Sequence, residues 1–404
     1  MTEVEVRPCS SAEELQDALA PINHYFGSES TPENAARFAQ WVELERVVSA
    51  HVDGTVVGGA GSMSFDISVP GGATIPAAGV TVVGVLPTHR RRGVLNAMMK
   101  ALLDDSRARG DAIACLWASE GTIYGRYGYG LASRMGEMTL AAERTAFAEA
   151  FTPRAEVRLI DAEEAAAALP PLYEQMRAAR PGLMSRTDDW WRTRRLHDDP
   201  ARRQGGPLTY ALLSLDGAPA GYALYRVAQD WRGGSSAGTV RIVEAVAPTA
   251  EAARELWRWL LDFDWTSQFV AGLLPLDHPL FMLLAEPRRM EFTINEGIWS
   301  RIVDVEAALN ARTFAGGEMV LDVVDPAVPG NTGRFGVGPG GAARTDAEPD
   351  LRLGIGALGS VYLGGFRFVD LARALRLEEL RPCAVDRADA LFRTAAEPWC
   401  AEIF

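Results

Sequence analysis

The sequence predicts a mixed α/β protein with two tandem copies of one α/β fold, the second degenerate, followed by a smaller α+β domain. Three observations carry this. At 404 residues the chain exceeds the size at which a single hydrophobic core stops growing, so two or three domains are expected. The phrase Val85-Leu86-Pro87-Thr88, which leads into a helix, returns 161 residues later as Val246-Ala247-Pro248-Thr249, again leading into a helix, as a duplicated unit would. From Ile302 onward the pattern changes to short strands and short helices. The expected domains are 1–145, 146–300 and 301–404.

Taken in order, Val4 to Arg7 alternates like a strand, and Ser10 or Ser11 caps a helix expected through Ala20, with Glu13 and Glu14 placed for a capping box. Arg46 to Val52 and Thr55 to Phe65 flank Asp53-Gly54, a pair suited to a tight hairpin. Pro70-Gly71-Gly72 turns the chain into the apolar run Val80 to Leu86, which Pro87 ends. Val94, Leu95, Met98, Met99, Leu102 and Leu103 then recur at helical spacing, and Gly110 closes that helix. Ile113 to Ala118 reads as a buried strand, and Thr122 to Tyr127 as a short helix between Gly121 and Gly128. The order returns as a strand near Val157, helices between Glu163 and Arg195, and a hairpin about Asp216-Gly217. The last domain reads as a helix from Val305 to Arg312, strands at Met319 to Val324, Arg334 to Val337 and Leu351 to Leu353, and helices near Val369 and Asp386. Within it, the Gly/Pro-rich stretch Pro329 to Gly341 is expected to be a long hairpin loop.

Composition narrows the function. With 48% hydrophobic and 23% charged residues and no long polar tract, the chain is that of a folded globular protein. It has no run of 18 apolar residues, and its start, Met1-Thr2-Glu3-Val4-Glu5, has acids where a signal peptide needs a basic flank, so a cytoplasmic protein without a membrane span is expected. Cys9, Cys115, Cys383 and Cys400 lie far apart with no CxxC pair, which argues for reduced thiols and against a structural metal. A formal charge of −13 disfavours nucleic acid and anionic membrane as partners and favours a cationic one. Lys100 is the only lysine, so short arginine runs carry less meaning than usual.

One run nevertheless stands in a telling place. Pro87-Thr88-His89-Arg90-Arg91-Arg92-Gly93 joins a strand directly to a helix. The first N–H groups of a helix have no intrahelical partner and lie at its positive end, so such a turn can hold a pyrophosphate. Gly93 permits close backbone approach, and arginine forks add charge-assisted hydrogen bonds. Alone, the run reads sooner as a solvated basic turn. Its setting decides otherwise: a strand meander precedes it, and a strand and short helix follow, ending Ile123-Tyr124-Gly125-Arg126-Tyr127-Gly128-Tyr129. The second copy has Thr249-Ala250-Glu251-Ala252-Ala253 at this point and has lost whatever the arginines bind.

These residues resemble the GCN5-related N-acetyltransferase (GNAT) family, whose coenzyme loop follows Arg/Gln-x-x-Gly-x-Gly/Ala. Arg90-Arg91-Arg92-Gly93-Val94-Leu95 fits except at Leu95, which is larger than the family prefers and is expected to shift the helix start slightly. The resemblance implies acetyl-CoA as co-substrate, held by Arg90, Arg91, Arg92, Gly93, Val94, Leu95 and Asn96. The backbone of Val83, Gly84 and Val85 would meet the pantetheine arm, with Gly84 keeping that edge open, and Ser119 and Glu120 would line the splayed end of the next strand. It also implies Tyr124 as the general acid for the departing thiolate. A phenol of pKa ~10 stays protonated at neutral pH and can serve a thiolate of pKa ~8.5 if a positive site or hydrogen bonds assist. The other reading of Tyr124, Tyr127 and Tyr129 is packing on a Gly-rich turn.

Over its whole length the chain is similar to the enhanced intracellular survival (Eis) family: two tandem GNAT-like domains, the second degenerate, then a sterol-carrier-protein-like domain. Ser119-Glu120-Gly121 leading into Ile123-Tyr124-Gly125-Arg126, together with the arginine loop, carries the likeness. It implies an N-acetyltransferase that modifies several amines of a cationic substrate (aminoglycoside-like, polyamine or lysine), a homo-hexamer, and a catalytic C-terminal carboxylate, which falls on Phe404. The tail Trp399-Cys400-Ala401-Glu402-Ile403-Phe404 is apolar where chain ends are usually polar and frayed. A carboxylate of pKa ~3.5 is a poor direct base, so it is expected to hold the amine and accept its proton, through water if need be. Docking of Trp399 and Phe404 against a core is the other reading. The competing function is a lipid- or sterol-binding protein acting through Val303 to Phe404 with a vestigial acetyltransferase domain. The arginine loop and Tyr124, intact in the first copy and lost from the second, favour catalysis.

Overall fold

A computed structural model describes residues 4–200 and 203–404, so Met1 to Glu3 of the acidic start lies outside it. The chain divides into two compact units. One runs to Ser133 and also takes Gly297–Ala395 and Ile403–Phe404; the other comprises Arg134–Glu296 and Ala396–Glu402.

The first unit is built on strands β1 (Glu5–Pro8), β2 (Val47–Val52), β3 (Thr55–Ser68), β4 (Thr74–Val85), β5 (Ile113–Trp117) and β6 (Gly130–Leu131), with α1 (Ala12–Tyr25), α2 (Pro32–Phe38), α3 (Val94–Arg109) and α4 (Gly121–Tyr124). Asp53 and Gly54 adopt the positive φ of 50° and 77° that the β2–β3 hairpin requires. Ser11 caps α1 by accepting from the Glu14 N–H at 3.2 Å, but the Glu14 carboxylate reaches the backbone N–H and hydroxyl of Ser10 rather than closing the box on Ser11. The helix passes Ala20 and continues through Pro21 to Tyr25. Packing overrides the lost backbone donor here: Leu15, Ala18, Leu19 and Pro21 are buried against the sheet.

Two features of β4 shape the site. Gly59 pairs with Gly84 and Gly61 with Thr81, so Val82 and Val83 together face Ala60; this is a bulge, with Val82 at φ 50°. The parallel ladder between β4 and β5 spans only Ala77↔Ile113 to Gly79↔Cys115, although β4 continues to Val85 and β5 to Trp117. Past Gly79 the two strands part, leaving one edge of β4 without a ladder.

In the second unit β7 (Arg134–Ala141), β8 (Glu156–Ile160), β9 (Thr209–Leu215), β10 (Ala218–Ala228), β13 (Gly238–Val246), β14 (Thr266–Leu274) and β15 (Thr293–Glu296) form one sheet, ordered β15-β7-β14-β13-β10-β9-β8. The small pair β11 (Trp231–Arg232) and β12 (Ser235–Ser236) stands apart. Helices α5 (Ala162–Ala179), α6 (Asp188–Trp190), α7 (Ala250–Leu260) and α8 (Leu280–Leu283) complete the unit. β7, which sequence assigns to the first stretch, pairs with β14 and β15. Conversely β16 (Ile298–Ile302), from the boundary of the second and third stretches, pairs with β5 and β6 in the first unit's sheet. The chain's linear segments therefore exchange strands.

The C-terminal part of the first unit is a five-stranded sheet of β17 (Met319–Val324), β18 (Gly333–Gly338), β19 (Gly341–Arg344), β20 (Leu351–Gly354) and β21 (Leu377–Glu379), with α9 (Val305–Ala311), α10 (Ile355–Tyr362), α11 (Phe368–Arg373) and α12 (Ala384–Leu391). Pro329 to Gly341 is not one long loop: β18 runs inside it over the expected strand Arg334 to Val337, with Phe335 and Val337 buried in the core between its glycines. The sequence reading missed α10, whose nearly all-apolar composition hides its period. It lies against β16 and β6 at bare backbone; a Cβ on Gly359 would come within 2.4 Å of the Ser300 carbonyl oxygen. Arg301, fully buried on β16, donates to both carboxylate oxygens of Asp325 at 2.9 Å.

Candidate active site

The Arg90 to Gly93 turn gives α3 an N-terminus that nothing in its own sequence closes. Gly93 is the N-cap at φ 86°, a conformation suited to glycine, and it offers no capping side chain. The first N–H groups of α3, at Val94, Leu95 and Asn96, therefore lack a side-chain cap, and the helix dipole adds partial positive charge there. Arg90, Arg91 and Arg92 are exposed and make no ion pair among the described residues. The helix begins at Val94, directly after the Gly93 N-cap. The Val94 side chain is 1% exposed in the core beside Met98, and Leu95 packs on the same cluster, so both can serve a ligand only through backbone.

The β4 edge corrects one expectation. A Cβ on Gly84 would lie 2.7 Å from the Ile22 backbone nitrogen, and one on its partner Gly59 would lie 1.8 Å from the Ala18 carbonyl oxygen. Gly84 is required by the close approach of α1, whereas the open edge comes from the parting of β4 and β5. Val83 and Val85 are half-buried along that edge, and the Val85 carbonyl accepts a 2.8 Å hydrogen bond from Tyr25 Oη, a contact sequence reasoning did not find. Ser119 and Glu120 are exposed just beyond β5, and Glu120 is the N-cap of α4.

The three tyrosines separate by environment. Tyr124, 6% exposed, sits edge-on to Tyr129 with ring centroids 6.1 Å apart. Burial, reinforced by Tyr127 and Glu120, pushes its phenol up to about 12. Tyr127 donates to the Asn96 carboxamide oxygen at 2.6 Å, tying the turn after α4 to the first turn of α3. Tyr129 is a core residue whose phenol burial also raises.

Phe404 lies in this unit. Its ring is 5.3 Å, centroid to centroid, from Phe65 of β3, and a Cβ on Gly79 would meet its edge at 3.2 Å. Gly79 is the last β4 residue laddered to β5, so the chain's final ring rests where the strands begin to part. Sequence reasoning singled out Phe404 but neither Phe65 nor Gly79, since their significance lies in a contact across more than 300 residues of chain. The first unit thus carries an uncapped helix N-terminus flanked by arginines, a strand edge without a ladder, the buried and protonated Tyr124 phenol and, where that edge begins, the ring of Phe404. Among the described residues no group of His, Cys, Asp and Glu could hold a metal ion.

Comparison with known proteins accords with this geometry. Residues 5–132 and 182–302 each match a model described as an acetyltransferase (GNAT) domain, and 305–401 match a sterol carrier protein domain. The chain is 36% identical to the N-acetyltransferase Eis of Mycobacterium bovis, covering 93% of this chain and 92% of that one. It is 38% identical to an uncharacterized N-acetyltransferase of Streptomyces avermitilis, covering 94% of each. The crystal structure of Eis1 from Mycobacterium abscessus superposes with a TM-score of 0.87 at 34% identity, over 99% of this chain and all of that one.

Proposed function

The chain belongs to the Eis family of GNAT N-acetyltransferases, and from that premise we propose that it acetylates primary amines of a cationic substrate, aminoglycoside-like, polyamine or lysine, with Tyr124 as general acid and the Phe404 α-carboxylate as base and amine anchor. The observation that carries the reading is the coincidence, at one opening of the first unit's sheet, of the uncapped α3 N-terminus and the terminal ring seated on Gly79.

The residues present fit the co-substrate. Uncapped N–H groups at Val94, Leu95 and Asn96, with Arg90, Arg91 and Arg92 beside them, match a pyrophosphate, and the unladdered backbone of Val83, Gly84 and Val85 matches an extended amide chain. Acetyl-CoA supplies the activated acetyl thioester, and its sulfur leaves as a thiolate. Ser119 and Glu120 flank the opening. The Phe404 carboxylate draws in the substrate ammonium and takes its proton, through a water where the gap requires one. Tyr124 keeps its proton throughout the physiological range. Its transfer to a thiol-like group of pKa ~8.5 would cost about 5 kcal/mol in water, but burial that raises the phenol raises a thiol as well and narrows the gap. The family likeness also leads us to expect a cytoplasmic homo-hexamer. Among the described residues no helix is long and apolar enough to cross a membrane.

The lipid-binding alternative has less support. In the C-terminal part Phe392 meets both Phe314 and Phe368 edge-on, and the buried Arg312 guanidinium lies 4.3 Å from the Phe392 ring centroid. Rings and a charged group occupy that interior.

The test is acetyl-CoA turnover against a panel of primary amines, with product mass spectrometry counting acetyl groups. Amine-dependent release of free thiol with one or more acetyl groups on the acceptor is expected. Thiol release at the same rate with and without every amine would end the proposal.

A further inference from the structure

The second unit repeats the opening of the first. A bulge falls at Val243 of β13, 161 residues after Val82 of β4. The parallel ladder of β13 and β14 reaches only Ile242↔Ala271 while β13 runs on to Val246, so one side of its last four residues has no partner strand among the described residues. Such an edge favours a chain that can complete the ladder with its own amides. A cavity of about 290 Å³ lies along it, walled within this unit by Ala245, Trp257, Leu274, His278 and Trp399. That volume suits a small molecule and leaves no room for a nucleotide.

The chemistry here differs from that of the first opening. Thr249 closes the α7 N-terminus with its own hydroxyl, which accepts from the Ala252 N–H at 3.2 Å, and Glu251 sets a negative charge in the first turn. Arg180 and Arg195 line the cavity but are matched by Asp277 and Glu244. An ionic ligand would lose its hydration and find no spare counter-charge, so an uncharged occupant is favoured.

His278 supplies a directional contact. It is 7% exposed, with its ring edge-on to Trp257 at 4.8 Å between centroids. Its Nδ1 accepts from the Leu280 backbone N–H at 3.3 Å, and burial, reinforced by Arg180, brings its pKa down to about 3, so the ring is neutral and its proton sits on Nε2. That N–H has no acceptor among the described residues and is not sealed in the core; it opens on the cavity His278 lines. A ligand carbonyl would satisfy it.

We propose that the opening of the second copy is a binding site for a small uncharged molecule built on secondary amides, of the pantetheine kind. Its amides pair with the free edge of β13, one of its carbonyls accepts from His278 Nε2, and its alkyl parts lie between Trp257 and Trp399. The site stands on groups of the second unit alone and does not depend on the catalytic reading of the first.

The experiment titrates pantetheine into the full chain by calorimetry, with coenzyme A at saturation to occupy the first opening. One equivalent should bind. H278N retains an acceptor for the Leu280 N–H and removes the Nε2 donor, so it should weaken binding roughly 10-fold, the scale of one hydrogen bond. A253L, which extends a side chain into the cavity from α7, should abolish it. No binding in the saturated wild type, or equal binding in wild type and both variants, overturns the site and leaves the first opening's role intact. If coenzyme A itself does not bind, the reading of the first opening fails, and the titration without it, compared across the same variants, decides this site. Should H278N not fold, A253L is read against the same outcomes.

Discussion

Tyr124 and Tyr127 lie three residues apart, yet their hydroxyls meet different fates. The Tyr127 hydroxyl donates a hydrogen bond to the Asn96 carboxamide oxygen, while Tyr124 is held in an apolar setting that keeps the phenol protonated. Tyr124→Phe preserves the ring and deletes the proton, so kcat should fall ~10²-fold with acetyl-CoA affinity little changed, the usual scale for removing a general acid. Tyr127→Phe should cost far less, and the reverse ranking in steady-state assays would show that the acid is Tyr127. With a phenol near 12, Tyr124 should produce no alkaline fall in kcat below about pH 11, so a pH profile declining at pH 9 would point to another acid. The same raised value carries a stability consequence. Its contribution is fully present below the unfolded value of about 10 and is lost as pH rises towards 12, because the unfolded chain releases the proton first.

At the scale of the element, the two copies differ at one helix end. α3 starts from Gly93 with its N–H groups uncapped, whereas α7 starts from Thr249, whose hydroxyl supplies the cap. Replacing Arg91 and Arg92 with Ala should therefore weaken acetyl-CoA binding in calorimetry without loss of fold, and the wild-type affinity should fall with salt. Gly93→Ala forces a Cβ into positive φ and should cost ~1 kcal/mol of stability as well as affinity. Thr249→Ala is the control. It should cost ~1 kcal/mol by removing the cap and leave acetyl-CoA affinity unchanged. Equal loss of affinity in both variants would mean that the effect is general destabilisation.

For the molecule as a whole, the tail joins the tertiary fold at both ends of its last few residues, with Trp399 to Glu402 in the second unit and Phe404 in the first. C-terminal amidation keeps every ring and removes only the charge, so the amidated enzyme should remain folded, bind acetyl-CoA and lose most of its turnover. Any appended tag should have the same effect, although tags on frayed termini are usually harmless. Light scattering should report a particle of six times 43.7 kDa; a monodisperse monomer that retains full turnover would remove the hexamer from the proposal.

Much of this was legible in the sequence, because it depends on neighbours along the chain. The hairpin at Asp53-Gly54, the α3 period, the glycine caps and the arginine turn are local patterns, each with a steric or hydrogen-bonding cause within a few residues. The same holds for the loss of the arginines from the second copy and for the apolar tail. What depends on pairing at a distance was not legible. The sequence reading did not find β7 or β16: backbone hydrogen bonds are the same for every residue type, and the choice of sheet is made by the cores that receive the strands. Gly84 looked like an open edge until α1 was found lying on it, and Phe404 became more than an apolar end only when its ring met Gly79 and Phe65. Sequence by itself determined the local conformations and the chemical types available; tertiary structure decided which of them meet, since close contact between remote residues is set by how the cores pack and not by any pattern one segment carries.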